Sequence, residues 1–417
     1  MKKNGFTLVE LLSIVVILGI IVVVALPQIS GSIGSKKEKQ YNKIVKIVEN
    51  AGKVYLTENG TMDSVSIDKL IESDYLTSGL KNPINNTPLT GCVKKITSDG
   101  VTKYKYEVDN CPNYLTTYIM DLYDNEETRT SNGLKKDNTP DQNIRYYGAN
   151  PNNYVRFNNE LWRIIGVFEN NVKLIRKDSL GNLVWDTSES SVNHGWGVNE
   201  WSQSALKNYL NTMYYGGTSV TCYNGENNQT TTCPKDRNGN FLTMDETSKE
   251  LIDYHTWNTG APNSSTLYNS TTKSYDTVEF YKAERGTVNG KICTGGGYCN
   301  DTVTRTTSWT GYIGLSYITD YAYASSENDC NTKIDQSSTY KCKKNNWMFK
   351  PTKAYWKLSP KDSSYQASGV WVVNGDGNAG GGGTSDARTV FPAIYLKSNV
   401  LKLEGTGTST DPYELSL

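Results

Sequence analysis

The first thirty residues constrain this chain more than any other stretch. Lys2 and Lys3 precede Gly5, and Phe6-Thr7-Leu8-Val9 lead to a single carboxylate, Glu10. A nearly unbroken Ile/Val/Leu run follows from Leu11 to Leu26 and is closed by Pro27. As a helix, residues 6–26 extend about 32 Å, enough to cross a bilayer core. An ionised carboxylate in hydrocarbon is costly without a partner, so Glu10 requires a cation brought to it. A new α-amine made by cutting after Gly5 is such a cation. The lysines favour a cytoplasmic N-terminus. A secretory signal peptide shares the basic start and apolar core, but this run is longer, no small-residue cleavage site follows, and Glu10 has no role in it. A plain membrane anchor accounts for the run but not for Gly5 to Glu10.

Gly5-Phe6-Thr7-Leu8-Val9-Glu10-Leu11 resembles the prepilin cleavage and methylation signal of type IV pilins and type II secretion pseudopilins. The resemblance implies that a prepilin peptidase cuts after Gly5 and methylates the amine exposed on Phe6. It implies that Glu10 pairs with the N-terminus of a neighbouring subunit during filament assembly. Pro27 falls where many pilins place a helix-kinking proline. The expected partners are other pilin subunits, met through the N-terminal helix. The expected location is a single pass of the cytoplasmic membrane before assembly, then an extracellular pilus or the cell surface.

Forty-three basic and 43 acidic residues cancel, so no global charge attracts nucleic acid, and no nucleic-acid partner is expected. The remainder of the chain is rich in Asn, Thr and Gly and holds 29 tyrosines, a composition that suits a solvated all-β surface protein better than a cytosolic enzyme. Eight cysteines fall as close sequential pairs: Cys92/Cys111, Cys222/Cys233, Cys293/Cys299 and Cys330/Cys342. No Cys-x-x-Cys with a histidine partner occurs, so local disulfides in an exported protein are the preferred reading over zinc. Free buried thiols are the alternative.

At 417 residues there is room for about two or three domains. After Pro27, Tyr41, Ile44, Val45, Val48, Ala51 and Tyr55 recur at three- and four-residue steps, which predicts a helix packing one face on a sheet. Ser66 opens a short capped helix, and two alternating segments flank Asp99-Gly100 as a hairpin. Residues 113–143 are sparse in apolar side chains and dense in Asn, Asp and Pro, a linker signature. Strong strands then begin at Tyr154-Val-Arg-Phe157 and Leu161 to Phe168. Ser202 and Thr243-Met-Asp-Glu246 mark expected helix starts. The expected division is a leader over 1–5, a pilin module over 6–112, a linker over 113–143 and a surface domain over 144–417.

Asn152-Asn-Tyr-Val155, Leu161-Trp-Arg-Ile-Ile-Gly-Val167, Asn199-Glu-Trp-Ser202 and Pro392-Ala-Ile-Tyr-Leu396 resemble an uncharacterised surface domain of Gram-positive exported proteins. More distantly, the region is similar to the C-type lectin and formylglycine-generating-enzyme superfold, with Tyr312-Ile-Gly-Leu315 echoing a lectin strand. The implied fold class is α+β: a long N-terminal hydrophobic helix with a small pilin sheet, then a mixed α+β lectin-like domain.

Little in the chain resembles catalytic chemistry. His194 and His255 lack metal-ligand neighbours at helical spacing, and no nucleophile elbow or P-loop occurs. Asp236-Arg-Asn238-Gly-Asn240 imitates the start of a calcium loop, but its glycine comes two places early, which favours a plain turn. No enzyme activity, cofactor or metal is expected. For a glycan or protein ligand, the candidate residues are Trp371, Asn374, Asp376 and Asn378, an aromatic beside a polar turn; an aromatic in a strand is more often core. Two functions remain: a minor pilin whose large domain binds a surface ligand, and a structural pseudopilin of a secretion or uptake machine. A membrane-tethered enzyme is a third and weaker reading.

Overall fold

The computed structural model describes residues 33–58, 63–98, 100–109, 111–260, 267–269, 274–286, 303, 305–334, 339–361 and 368–417. Gly5, Phe6, Glu10, Pro27, Cys293 and Cys299 lie outside the described residues. The chain divides into two compact units, Met1–Asn113 and Tyr114–Leu417.

In the first unit, α1 (Ile33–Glu58) lies against an antiparallel sheet of β1 (Ser64–Ser66), β2 (Cys92–Ser98) and β3 (Val101–Glu107). Val48, Ala51 and Tyr55 are buried against Val65, Val93 and Tyr106, and Tyr41, Ile44 and Val45 pack at the margin, as the helical stripe predicts. Gly52 permits the closest approach: a Cβ there would stand 2.5 Å from that of Val93. The short helix α2 (Ile67–Glu72) is capped by the Ser66 hydroxyl, which accepts from the Lys69 amide at 3.1 Å. Ser98 faces Val101 across the hairpin turn, where Gly100 has φ +76°. Cys92 and Cys111 are bridged near the open end of that hairpin. Among the described residues, no helix is long and apolar enough to cross a membrane.

The second unit is α+β with mixed sheets. It opens on α3 (Leu115–Asp124), α4 (Glu126–Asn132) and β4 (Leu134–Lys136), followed by β5 (Ile144–Tyr146). Residues 113–143 are therefore not a spacer. Leu115, Ile119 and Leu134 enter the core, and Leu134 pairs with Tyr146 across β4 and β5. The Asn/Asp-rich stretch that resembled a linker instead wraps one carboxylate. Asp137 accepts from the amide and hydroxyl of Thr139 and from the amide of Asn143 at 2.6–3.2 Å. The polar residues bond inward to backbone and to one another, so polarity here marks an ordered turn.

The strands β6 (Tyr154–Phe157), β7 (Glu160–Phe168) and β8 (Asn171–Arg176) form consecutive hairpins. Asn158 and Asn159 both adopt positive φ, as the two central residues of a type I′ turn require. Every residue of β7 from Trp162 to Phe168 is buried, so both faces of this strand are covered. Gly166 lies where a Cβ would meet the Ile144 carbonyl at 2.2 Å, beside a register irregularity in β7.

Farther along come β9 (Asn182–Leu183), α5 (Ala205–Asn208), α6 (Glu246–Leu251), β10 (His255–Asn258), α7 (Thr277–Glu284), β11 (Ser308–Gly311), β12 (Ile313–Leu315) and α8 (Ile318–Tyr323). The last strands of the two larger sheets are β13 (Tyr355–Pro360), β14 (Gly369–Val373), β15 (Ala379–Gly383), β16 (Arg388–Thr389) and β17 (Pro392–Tyr395). A seven-stranded sheet runs β12-β17-β8-β7-β5-β4 with β6 also on β7, and a five-stranded sheet runs β15-β14-β13-β16-β9. The C-terminal segment returns to β6, where the Arg156 amide donates to Tyr413 and the Tyr413 amide to Tyr154.

Both expected helix starts fall two residues later than the motifs suggested. Ser204, not Ser202, caps α5 by accepting from the Lys207 amide, because buried Trp201 first takes a separate turn capped by Glu200. Asp245, not Thr243, caps α6 by accepting from the Ser248 amide at 2.7 Å. Cys222–Cys233 and Cys330–Cys342 form disulfides with Cα separations of 5.2 and 5.8 Å, within ordinary reach.

Candidate functional site

Two places in the second unit gather chemistry. The first is a sealed cluster of charges. Asp320 on α8 accepts from Arg145 Nη1 of β5 and from Lys173 Nζ of β8, each at 2.7 Å, and from the Tyr317 amide at 2.9 Å. Arg145 Nε reaches Asp137 at 2.6 Å. Beside it, Glu284 of α7 accepts from the Thr319 amide and hydroxyl, and Lys357 of β13 donates to the Ser316 hydroxyl at 2.8 Å. Lys173, Glu284 and Lys357 are fully excluded from solvent.

Burial moves the titration of these groups. It pushes Lys173 down to about 8 even with Asp320 in contact, pushes Lys357 down to about 7, and raises Glu284 to about 7. For Asp320 burial acts upward, but Lys173 and Arg145 outweigh it and hold the carboxyl well below its usual range. Shifts of this kind often mark catalytic clefts. Here every group points at another protein group, and a substrate has no access. The cluster ties α8 to β5 and β8.

The second place is open. The last turn of α5 widens into a π-helix over Tyr209–Tyr215. Asn211 on that turn donates to the Ile313 carbonyl at 2.9 Å and accepts from the Ile313 amide at 3.0 Å. This double bond to the backbone brings the β11–β12 corner against the π-helix. The Tyr312 ring then stacks on Tyr215 with centroids 4.0 Å apart. A second lock lies beside it. The Asp253 amide donates to Tyr395 at 2.8 Å, and the Lys397 amide to Leu251 at 2.9 Å. It presents Tyr254 tilted over Tyr312 at 4.8 Å, with 60% of Tyr254 exposed.

These rings line a cleft of about 560 Å³ rimmed by Glu246, Lys249, Glu250 and Lys397. Lys249 pairs with Glu246 at 2.7 Å, so two acids and two lysines balance. The rings offer apolar faces, the carboxylates accept and the ammonium groups donate, which suits a small polar ligand with an apolar face. A cleft of about 650 Å³ lined by Asn182, Thr352 to Ala354 and Asp386 to Thr389 has no aromatic residue in its lining; its Arg388 is paired with Asp386 at 2.8 Å.

The sequence-predicted ligand residues do not form such a site. Trp371 is 1% exposed on β14, packed against Phe280 at 4.8 Å, and no ligand can stack on it. Asn374, Asp376 and Asn378 form the β14–β15 turn. The Asn378 amide bonds to Asp376 and the Asn374 amide to the Asn378 carbonyl, each at 2.9 Å. Asp236 likewise holds a plain turn through the Asn238 and Asn240 amides. His255 stacks on Tyr395 and meets Asp253 at 2.9 Å. Among the described residues, no group of three or more His, Cys, Asp or Glu is arranged to hold a metal. The tyrosine cleft escaped the sequence because its three rings come from three distant elements among 29 tyrosines.

Residues 1–26 match the family model described as the prokaryotic N-terminal methylation motif. No curated protein and no solved structure matches the chain. The chain thus carries a prepilin-type signal, which fits a type IV pilin or pseudopilin and implies prepilin peptidase processing, membrane insertion and pilin-type assembly into an extracellular filament.

Proposed function

We propose that this chain is a modular minor pilin whose second unit sits at the filament tip and binds a surface ligand through the tyrosine cleft. The observation that carries the reading is a prepilin-type signal on a chain whose far larger second unit opens an aromatic cleft to solvent. Pilin subunits bundle their long helices along the filament axis and fit their small heads between neighbours. A unit as large as Tyr114–Leu417 on every subunit would crowd such a shaft. A subunit at the tip has nothing stacked above it, and there a binding domain meets its ligand first.

The role is binding and carries no catalysis, since the lysines and the carboxyl group whose titration burial displaces, Lys173, Lys357 and Glu284, are sealed. A lectin-like use of the α+β unit fits this role, with a glycan as the ligand class. The cleft's few lining residues are small beside the roughly 20–30 residues a side of a protein interface. In-frame deletion of 114–417 should leave filaments intact, built by the major pilin, and abolish adhesion to host or abiotic glycan surfaces. Immunogold against the second unit should label filament ends. Regular labelling along the shaft would exclude a tip position, and unchanged adhesion after the deletion would exclude the adhesive role in favour of a structural pseudopilin.

A further inference from the structure

Lys173 and Asp320 meet in direct contact inside a wall of aromatic rings, with both side chains removed from solvent. Lys173 Nζ lies 2.7 Å from Asp320 Oδ2, and the two side chains are 0% and 1% exposed. The amine is walled by the rings of Tyr317, Tyr395, Phe168 and Trp257, with centroids 4.1–5.4 Å away. The carboxylate is divided between two roles: Oδ2 faces the amine and accepts from the Tyr317 amide at 2.9 Å, while Oδ1 is held by Arg145 Nη1 at 2.7 Å. One oxygen is therefore placed to leave and the other to remain under a fixed cation.

We propose that Lys173 and Asp320 condense into an intramolecular isopeptide bond. Lys173 Nζ gives up a proton to the carboxylate, and its lone pair attacks Asp320 Cγ. Charge gathers on Oδ1, where the Arg145 guanidinium stabilises it. The C–Oδ2 bond breaks, and Oδ2 departs as water with two protons from the former ammonium. An ammonium and a carboxylate become a neutral secondary amide plus one water, and no oxidant or external acyl donor is needed. The aromatic wall excludes the water that would reverse the step, and contact geometry replaces an intermolecular encounter. The product removes two charges from a site where keeping them is costly. Arg145 keeps a countercharge in Asp137 at 2.6 Å. The bond would staple β8 to α8, so that tension on the unit could not extend residues 173–320.

The test is the intact mass of the full-length exported chain, followed by a reducing peptide map. The expected mass is one water below that of the processed, reduced sequence. The map should recover one branched peptide joining Lys173 to Asp320 and neither residue in a linear peptide. Lys173→Arg should restore the missing water. If that variant fails to accumulate, the map of the parent chain decides alone. A mass with no water missing would overturn the proposal. So would a missing water located at an Asp-Gly step such as Asp99-Gly100 or Asp376-Gly377, the mark of a cyclic imide, with Lys173 in a linear peptide.

Discussion

Lys173 and Tyr254 belong to the same unit, yet the first is fully excluded from solvent and the second exposes 60% of its surface. Around Lys173 the titration of several groups is displaced, and the rings of Tyr317 and Tyr395 close over the amine. Around Tyr254 the rings stack at the rim of an open cleft. Displaced titration follows from loss of water and from neighbouring charge, and both are strongest where no ligand can enter. An open aromatic face with balanced polar groups can receive one. The sealed cluster holds elements of the fold together, and the cleft is where we propose that a ligand is met.

Substitutions can break that contrast. The largest effect is expected for Asp320→Ala, which leaves Arg145 and Lys173 buried without their shared partner. It should cost about 3–5 kcal/mol, read as a lower denaturation midpoint by tryptophan fluorescence. A loss comparable to that of an exposed ion pair would show that water reaches the cluster.

Glu284 gives the next effect, and its sign is fixed. Its ordinary value is 4.5 and burial raises it to about 7 in the folded chain, so the folded state binds the proton more tightly than the unfolded state. The resulting stability is fully present below about 4.5 and is lost as pH rises through about 7. Lys357 acts oppositely in a higher window: lowered from 10.5 to about 7, its contribution is present above 10.5 and lost as pH falls. Comparing Glu284→Gln with the parent isolates the lower window. From pH 5 to pH 8 the parent should lose on the order of 2–3 kcal/mol through this group, and the variant should not. Parallel pH profiles for the two chains would contradict a sealed Glu284.

Tyr254→Ala should be the mildest change to the fold, within about 0.5 kcal/mol, because an exposed ring leaves no core cavity. Adhesion should nonetheless fall. A variant that loses stability and adhesion together would make Tyr254 a structural residue.

What could be read in advance follows from the range of the interactions. The α1 stripe, the hairpin at Gly100 and the bridged pairs Cys92–Cys111, Cys222–Cys233 and Cys330–Cys342 depend on residues near in sequence. Asp137 and Asn143 misled because the same polar residues that make a solvated linker also build a turn around a buried carboxylate. Trp371 misled because nothing local distinguishes an aromatic facing a ligand from one facing Phe280. Asp320 meets Lys173 and Arg145 only through the sheet order, and Tyr215, Tyr254 and Tyr312 meet only through backbone locks at Ile313 and Lys397. Neither arrangement leaves a spacing to find.

The N-terminus of the exported protein tests most directly whether the chain is a processed filament subunit. Mass analysis of filament preparations should give a chain that lacks residues 1–5 and begins at N-methylated Phe6, with Glu10→Ala still cleaved but not incorporated. A chain recovered from filaments or the cell surface with Met1 to Gly5 still attached would contradict it.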